Sequence, residues 1–248
     1  MKRLLLDLGN TRLKWRRFDG AALLDEGALA HADAHFDEGL DALAASASDC
    51  AAWLASVAPD ALTSKVVRQL AVHLPLAPQR VRVQQDMAGL RLVYADPQQL
   101  GVDRWLAMLG ARRVHAGPCV VALAGTALTL DAVDAEGLHL GGLIVPGLGL
   151  QRRVLTEGPL FLRGSDAAPV LFADSTAHAV ASGPAQALAA LIKRFATAVT
   201  ERCGAAPTVW LSGGDGGRLA TLLTMPAKTH PELVLEGLAS ILTLQCPT

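Results

Sequence analysis

Leu4-Leu5-Leu6-Asp7-Leu8-Gly9-Asn10-Thr11-Arg12-Leu13-Lys14-Trp15 is the stretch from which the organisation of this chain follows. An apolar strand runs into a short polar turn and leaves it as an alternating strand, with Arg12, Lys14 and Arg16 on one face and Leu13 and Trp15 on the other. Gly9 and Asn10 accept turn dihedrals that the flanking hydrophobic residues do not. Backbone N–H groups in such a turn can hold phosphate oxygens. Asp7 at its mouth is compatible with phosphate when a divalent cation lies between the two. Taken alone, the segment is also explained as a hairpin whose Asp and Asn satisfy the bend.

The pattern occurs twice. Cys119-Val120-Val121-Ala122 leads into Leu123-Ala124-Gly125-Thr126-Ala127 and out through Leu128-Thr129-Leu130-Asp131, so that Gly125 answers Gly9 and Leu123 answers Asp7. Each copy reaches a second turn, Asp19-Gly20 or Asp134-Ala135-Glu136-Gly137, before a third apolar strand. Two three-stranded meanders, each with a polar first turn, predict two like domains facing each other across a phosphate-binding cleft, divided as 1–115 and 116–248. A chain of 248 residues is long enough for both.

Hydrophobic residues make up 51% of the chain and charged ones 18%, which excludes a disordered protein. A net charge of −1 provides no basic field for nucleic acid or an anionic membrane, and directs attention to small-molecule partners. Asp7 interrupts the N-terminal apolar run after three leucines, and no run of about 18 apolar residues exists. Cys50, Cys119, Cys203 and Cys246 stand far apart, as expected of reduced thiols, and the chain reads as soluble and cytoplasmic.

Phe36, Leu40 and Leu43 predict a helix over Asp33 to Ser46, with His31 and His35 at its start. A metal on this His pair would need a third ligand; a solvated helix start is the simpler account. Trp53 to Val57 reads as a buried strand, and Pro59-Asp60 opens a helix through Leu74 with Asp60 as N-cap. The densest polar stretch follows, from Tyr94 through Asp96, Gln98, Gly101, Val102, Asp103 and Arg104 to Trp105. Asp103 precedes a helical run that ends at Gly117-Pro118 and is explained as an N-cap. A carboxylate beside a guanidinium at a helix start, close to the only tyrosine, equally suits an anionic hydroxylated ligand: Arg104 would take its carboxylate bidentately and Asp103 would face its hydroxyl.

Gly141 to Gly149 is read as strand, turn and helix start, since Arg152 occupies the third glycine position of a dinucleotide fingerprint. Ser175 or Thr176 caps a helix or points into the cleft. Pro184 is expected to open the longest helix, reaching about Cys203. Val209 to Ser212 is a last strand running into Gly213-Gly214-Asp215-Gly216-Gly217, bare enough for a flat ring to lie on backbone. A terminal helix, Glu232 to Gln245, is placed across the domain seam. No Gly-Lys dipeptide, Gly-x-Ser-x-Gly or His-Glu-x-x-His is present, which excludes a Walker A loop, a hydrolase elbow and a zincin helix.

With these motifs in order, the chain resembles the type III pantothenate kinases of the actin and sugar-kinase superfamily. Asp7-Leu8-Gly9-Asn10-Thr11-Arg12-Leu13-Lys14 looks like the family's first phosphate motif, Tyr94 with Gly101-Val102-Asp103-Arg104 like its pantothenate motif, Gly125-Thr126-Ala127 like its second phosphate motif, and Ser175-Thr176 like its second substrate contact. The resemblance implies an α/β fold of two duplicated ribonuclease H-like domains, each a mixed sheet flanked by helices. By the same resemblance Asp103 is the proton acceptor, Tyr94, Gly101, Val102, Arg104 and Thr176 bind pantothenate, and Thr126 with the first motif binds ATP, magnesium lying at Asp7. It further implies a homodimer and a monovalent cation, potassium or ammonium. One residue departs from the pattern: Leu123 stands where the family has the Asp that helps hold this cation. Another phosphotransferase of the superfamily would share the phosphate turns without the Tyr94 to Arg104 constellation. A non-catalytic nucleotide-binding regulator would need a partner surface that no basic patch or DNA-reading helix supplies.

Overall fold

A computed structural model describes residues 2–157, 162–164 and 166–245. Of the four cysteines, Cys246 lies outside them. The chain separates into two compact units: residues 1–85, 96–110 and 234–248, and residues 86–95 and 111–233. The C-terminal stretch from Val234 counts with the first unit, and residues 86–95 and 111–115 with the second.

In the first unit, β1 (Lys2–Leu8), β2 (Arg12–Asp19) and β3 (Ala22–Ala30) form the antiparallel meander, followed by α1 (Phe36–Ser46), β4 (Ala51–Ser56), α2 (Asp60–Leu70) and β5 (Gln79–Arg80). The sheet order is β3-β2-β1-β4-β5, with β1, β4 and β5 parallel. Alternation along β1 sends Leu4, Leu6 and Leu8 into a core with Leu13, Leu54 and the apolar faces of α1 and α2, while Leu5 and Asp7 face the other way. On β2 the division of faces is the expected one: Leu13 and Trp15 pack on that core, and Arg16 reaches Glu236 at 2.8 Å.

A short hairpin, β6 (Asp86–Met87) and β7 (Leu90–Arg91), belongs to the second unit, and α3 (Val102–Val114) follows it. Then come β8 (Cys119–Ala124), β9 (Ala127–Val133), β10 (His139–Pro146), α4 (Leu148–Thr156), α5 (Thr176–Cys203), β11 (Thr208–Ser212), α6 (Gly216–Ala220) and β12 (Ala227–Thr229). Their order, β10-β9-β8-β11-β12, and their directions repeat those of the first sheet. Val120, Ala122, Leu128, Leu130 and Leu211 face a core covered by α5, so Leu123, Thr129 and Asp131 fall on the opposite face. The short β12 was not foreseen; three residues with two exposed carry no periodicity.

The last helix, α7 (Leu233–Gln245), packs on α3 so closely that a Cβ at Gly237 would collide with the Leu106 carbonyl. Only glycine permits that approach.

Several local expectations change. Asp60 is the first helical residue rather than the cap of α2: Pro59 holds the cap position at φ −53° and ψ 145°, without a side-chain bond. There the Asp60 charge faces the positive helix end, and its carboxylate lies 3.6 Å from Arg80. The helix ends at Leu70, and a turn carries the chain to Leu74. Pro184 opens no helix; it lies inside α5, which runs unbroken from Thr176. Its missing N–H and its ring should break the helix. The buried stripe of Ala181, Ala185, Leu188 and Ile192 crosses the proline, however, and packing on the core keeps both halves in line. His31 and His35 precede α1, His31 edge-on against Phe36 at 5.2 Å and His35 bonded to Glu38. Among the described residues no group of three or more His, Cys, Asp and Glu side chains could hold a metal.

Candidate active site

The first polar turn is built by the ends of β1 and β2. Leu8 pairs with Leu13, leaving Gly9, Asn10, Thr11 and Arg12 to make the bend, closed by Gly9 N–H donating to Arg12 O at 3.0 Å. Asn10, Thr11 and Arg12 are exposed. The His31 N–H donates to Thr11 O at 3.0 Å, fixing the exit of β3 to this turn. Asp7 is half-buried directly opposite Lys14 and shares its face beneath the bend.

In the second turn, Ala124 pairs with Leu128, and Gly125 N–H donates to Ala127 O at 3.0 Å. Its loop is three residues against four in the first, so the letter-for-letter match of the two copies holds through the first strand and then slips by one. The structural counterpart of Lys14 is therefore Thr129, which pairs with Leu123. Gly125 and Thr126 are exposed. Two further backbone segments close on them. Gly147, the N-cap of α4, donates to Thr126 O at 2.9 Å, and a Cβ there would collide with Gly125 O. Gly213, at φ +87°, lies against the Ala124 carbonyl, to which Asp215 N–H donates at 3.0 Å. The helix start and the glycine loop that sequence placed separately thus converge on the second turn, each bonded to one of its carbonyls. Burial raises the pKa of Asp215 in this loop, against the opposing pull of Arg218 and Arg152.

The segment carrying Asp103 and Arg104 starts α3. Asp103 lies within the first turn, where its Oδ1 accepts from the Arg104 N–H at 2.8 Å. It thus satisfies a helix-start donor from inside the helix rather than from the cap position. A Cβ at Gly101 would lie 2.6 Å from that same Oδ1, so glycine there makes room for the carboxylate. Arg104 is 4% exposed, an unusual place for a guanidinium and one that demands partners for it. A cleft of about 360 Å³ lies over the C-terminal ends of β4 and β5, where Ser56, Val57, Arg80, Arg82, Gly101 and Val102 contribute to its walls. Its size suits a small ligand, and strand C-termini are where open α/β sheets bind them. A second cleft of about 410 Å³, between β3 and α1, is lined by none of the motif residues.

Tyr94 is in the second unit, half-buried, with its ring stacked on His139. Ser175 is the N-cap of α5 and accepts from His178 N–H at 3.3 Å, which leaves Thr176 exposed at the first helical position. His139 and Asp131, hydrogen-bonded and buried beside Tyr94, went unnoticed as a pair in the sequence. A β-bulge between His139 and Gly141 disturbs the alternation that would have aligned them.

Known proteins resemble the chain in sequence and in fold. Residues 3–198 match the family model described as type III pantothenate kinase. A type III pantothenate kinase of Azoarcus sp. (strain BH72) is 40% identical over 241 residues, covering 96% of this chain and 89% of that protein. Among solved structures, a conserved putative Baf family transcriptional activator from Campylobacter jejuni superposes with a TM-score of 0.60 at 20% identity, covering 98% of each chain. A putative 2-dehydro-3-deoxygalactonokinase from Sinorhizobium meliloti gives 0.53 at 17% identity, covering 99% and 100%. At such identities the structures speak for the fold alone, the actin and sugar-kinase type with two mixed sheets flanked by helices. With a family match over most of its length and a relative at 40% identity, the chain belongs to the type III pantothenate kinase family.

Proposed function

We propose how this chain carries out the reaction of its family, the ATP-dependent phosphorylation of pantothenate to 4'-phosphopantothenate that begins coenzyme A biosynthesis. Asp103 accepts the proton of the pantothenate hydroxyl as that oxygen attacks the γ-phosphorus of ATP; the bond from phosphorus to the bridging oxygen breaks, and ADP leaves. The observation that carries this reading is the start of α3, where glycine at 101 clears space for the Asp103 carboxylate at the edge of a cleft sized for a small ligand. Arg104 binds the pantothenate carboxylate bidentately, with Tyr94, Gly101, Val102 and Thr176 as further contacts. Residues 7–14 and Thr126 hold the nucleotide phosphates through turn amides, and the glycine loop at 213–217 lies under the adenine ring.

Asp7, half-buried near the end of β1 below an exposed turn, suits magnesium: a nucleotide-bound ion needs one or two protein carboxylates besides phosphate and water, so the absence of a larger cluster among the described residues is no obstacle. When bound, the ion would supply charge neutralisation at the phosphates. The residues at the second turn do not fit a monovalent cation in the same way. Leu123 has no oxygen to offer, and Asp131 is engaged by His139. A homodimer follows the family, and the exposed Ile144 on the edge strand β10 and Val154 on α4 are consistent with a covered face; sedimentation equilibrium tests it. Among the described residues no helix is long and apolar enough to cross a membrane.

Release of ADP with and without pantothenate, with mass-spectrometric identification of 4'-phosphopantothenate, tests the reaction. ATP consumption indifferent to pantothenate would refute it. Arg104→Lys tests the pocket: the ammonium cannot reproduce two parallel bonds, so the pantothenate KM should rise far more than that of ATP. Equal effects on both substrates would make Arg104 structural.

A further inference from the structure

Buried within the second unit is a polar pair that the proposed reaction does not use. His139 is 0% and Asp131 1% exposed, and His139 Nε2 lies 3.0 Å from Asp131 Oδ1. An ionised carboxylate can only accept, so Nε2 carries the proton of this bond. His139 Nδ1 is then left buried with no hydrogen-bond partner among the described residues. Asp131 pairs with Val121 and His139 with Val133, and an apolar pair would fill the same space without burying charge or an unmatched nitrogen. Stability therefore does not account for the choice.

What the pair provides is a flat ring held in one plane. The imidazole lies parallel to the Tyr94 ring, with planes 7° apart and centroids 5.7 Å apart, an offset stack. Tyr94 itself lies outside the strands and helices. Three residues before it, Arg91 donates its N–H to Gly137 O at 2.9 Å and bridges Leu138, the residue before His139. The anchor of the Tyr94 segment and the ring beneath Tyr94 thus come from the same turn into β10.

We infer that His139 is a positioning residue for pantothenate: held by Asp131, its ring fixes the orientation in which Tyr94 meets the substrate. This rests on the assignment of Tyr94 to the pantothenate pocket, and the experiment separates the two claims. Steady-state constants for both substrates are measured for wild type, Tyr94→Ala, His139→Gln, His139→Phe and the Tyr94→Ala/His139→Gln double variant. Gln keeps a donor for Asp131 but has no ring; Phe keeps the ring. Loss of an aromatic stack predicts a rise of about 3- to 10-fold in pantothenate KM for His139→Gln, with kcat and the ATP KM within about two-fold. His139→Phe, which keeps the ring but not its bond to Asp131, should raise pantothenate KM less than His139→Gln does, and the double variant should be no worse than Tyr94→Ala alone. A raised pantothenate KM in Tyr94→Ala with an unchanged one in His139→Gln would overturn the positioning role alone. An unchanged KM in Tyr94→Ala would overturn both claims. Parallel loss of kcat and of both KM values in His139→Gln, or effects that multiply in the double variant, would make His139 merely structural.

Discussion

Replacing Asp103 by Asn separates the two roles that the start of α3 offers this residue. Asn retains Oδ1 as an acceptor for the Arg104 N–H, now bonded at 2.8 Å, so the first turn keeps its hydrogen bond. What is lost structurally is one negative charge near the helix N-terminus, about 0.3–1 kcal/mol. In a chain of this size that lowers Tm by about 1–4 °C. What is lost chemically is the base. Positioned general bases contribute about 10²- to 10⁴-fold, or about 3–5 kcal/mol of barrier. A residue that only stabilises the helix shows the first effect without the second. The assay couples ADP release to a spectrophotometric readout under saturating substrates, with pantothenate binding followed by calorimetry and Tm by circular dichroism. The expected result is a near-native Tm, retained pantothenate binding and a kcat reduced at least 100-fold. A purified Asn variant turning over within about ten-fold of wild type would refute the base assignment and leave Asp103 as part of the helix start.

Four other outcomes are expected. Gly101→Ala places a methyl 2.6 Å from Asp103 Oδ1, so it should lower kcat with little change in Tm; an unaffected kcat would mean that the carboxylate position is immaterial. Gly237→Ala gains about 1 kcal/mol of helix propensity but overpacks against the Leu106 backbone at about 1–3 kcal/mol, so Tm should fall, and a rise would show that α3 and α7 can part without cost. Because Leu123 supplies no carboxylate, potassium titrated into sodium-free buffer against a choline control should change turnover less than ten-fold; a larger rise would show a cation site built from other oxygens. Burial pushes the Cys119 thiol up to about 12 from 9.0, so it should resist alkylation at pH 8 until the protein unfolds. The folded state keeps a proton that the unfolded thiol gives up, so this contribution to stability is intact below pH 9 and is lost as pH rises toward 12. Native-state labelling of Cys119 as fast as that of a free thiol would contradict it.

By itself the sequence determined the repeated meander and what depends on alternation: which face of β2 carries Arg12, Lys14 and Arg16, and that two polar turns lie at matching strand ends. Period-two patterning and turn chemistry are local, so they survive in the letters. The motifs from Asp7 to Lys14 and from Gly101 to Arg104 were legible for the same reason, their residues being consecutive. Tertiary structure alone decided what long-range packing sets. Pro184 reads as a helix opener because its ring and missing N–H act locally, yet the core stripe on either side of it overrides that signal. Asp60 and Pro59 exchanged roles at a boundary where either could serve as cap. The one-residue difference between the two polar turns depends on strand register, which no letter states. The convergence of Gly147 and Gly213 on the second turn, and the stack of Tyr94 over His139 held by Asp131, join residues far apart in the chain. Such contacts follow from how strands and helices are laid side by side, which the sequence encodes only through the packing of the whole unit.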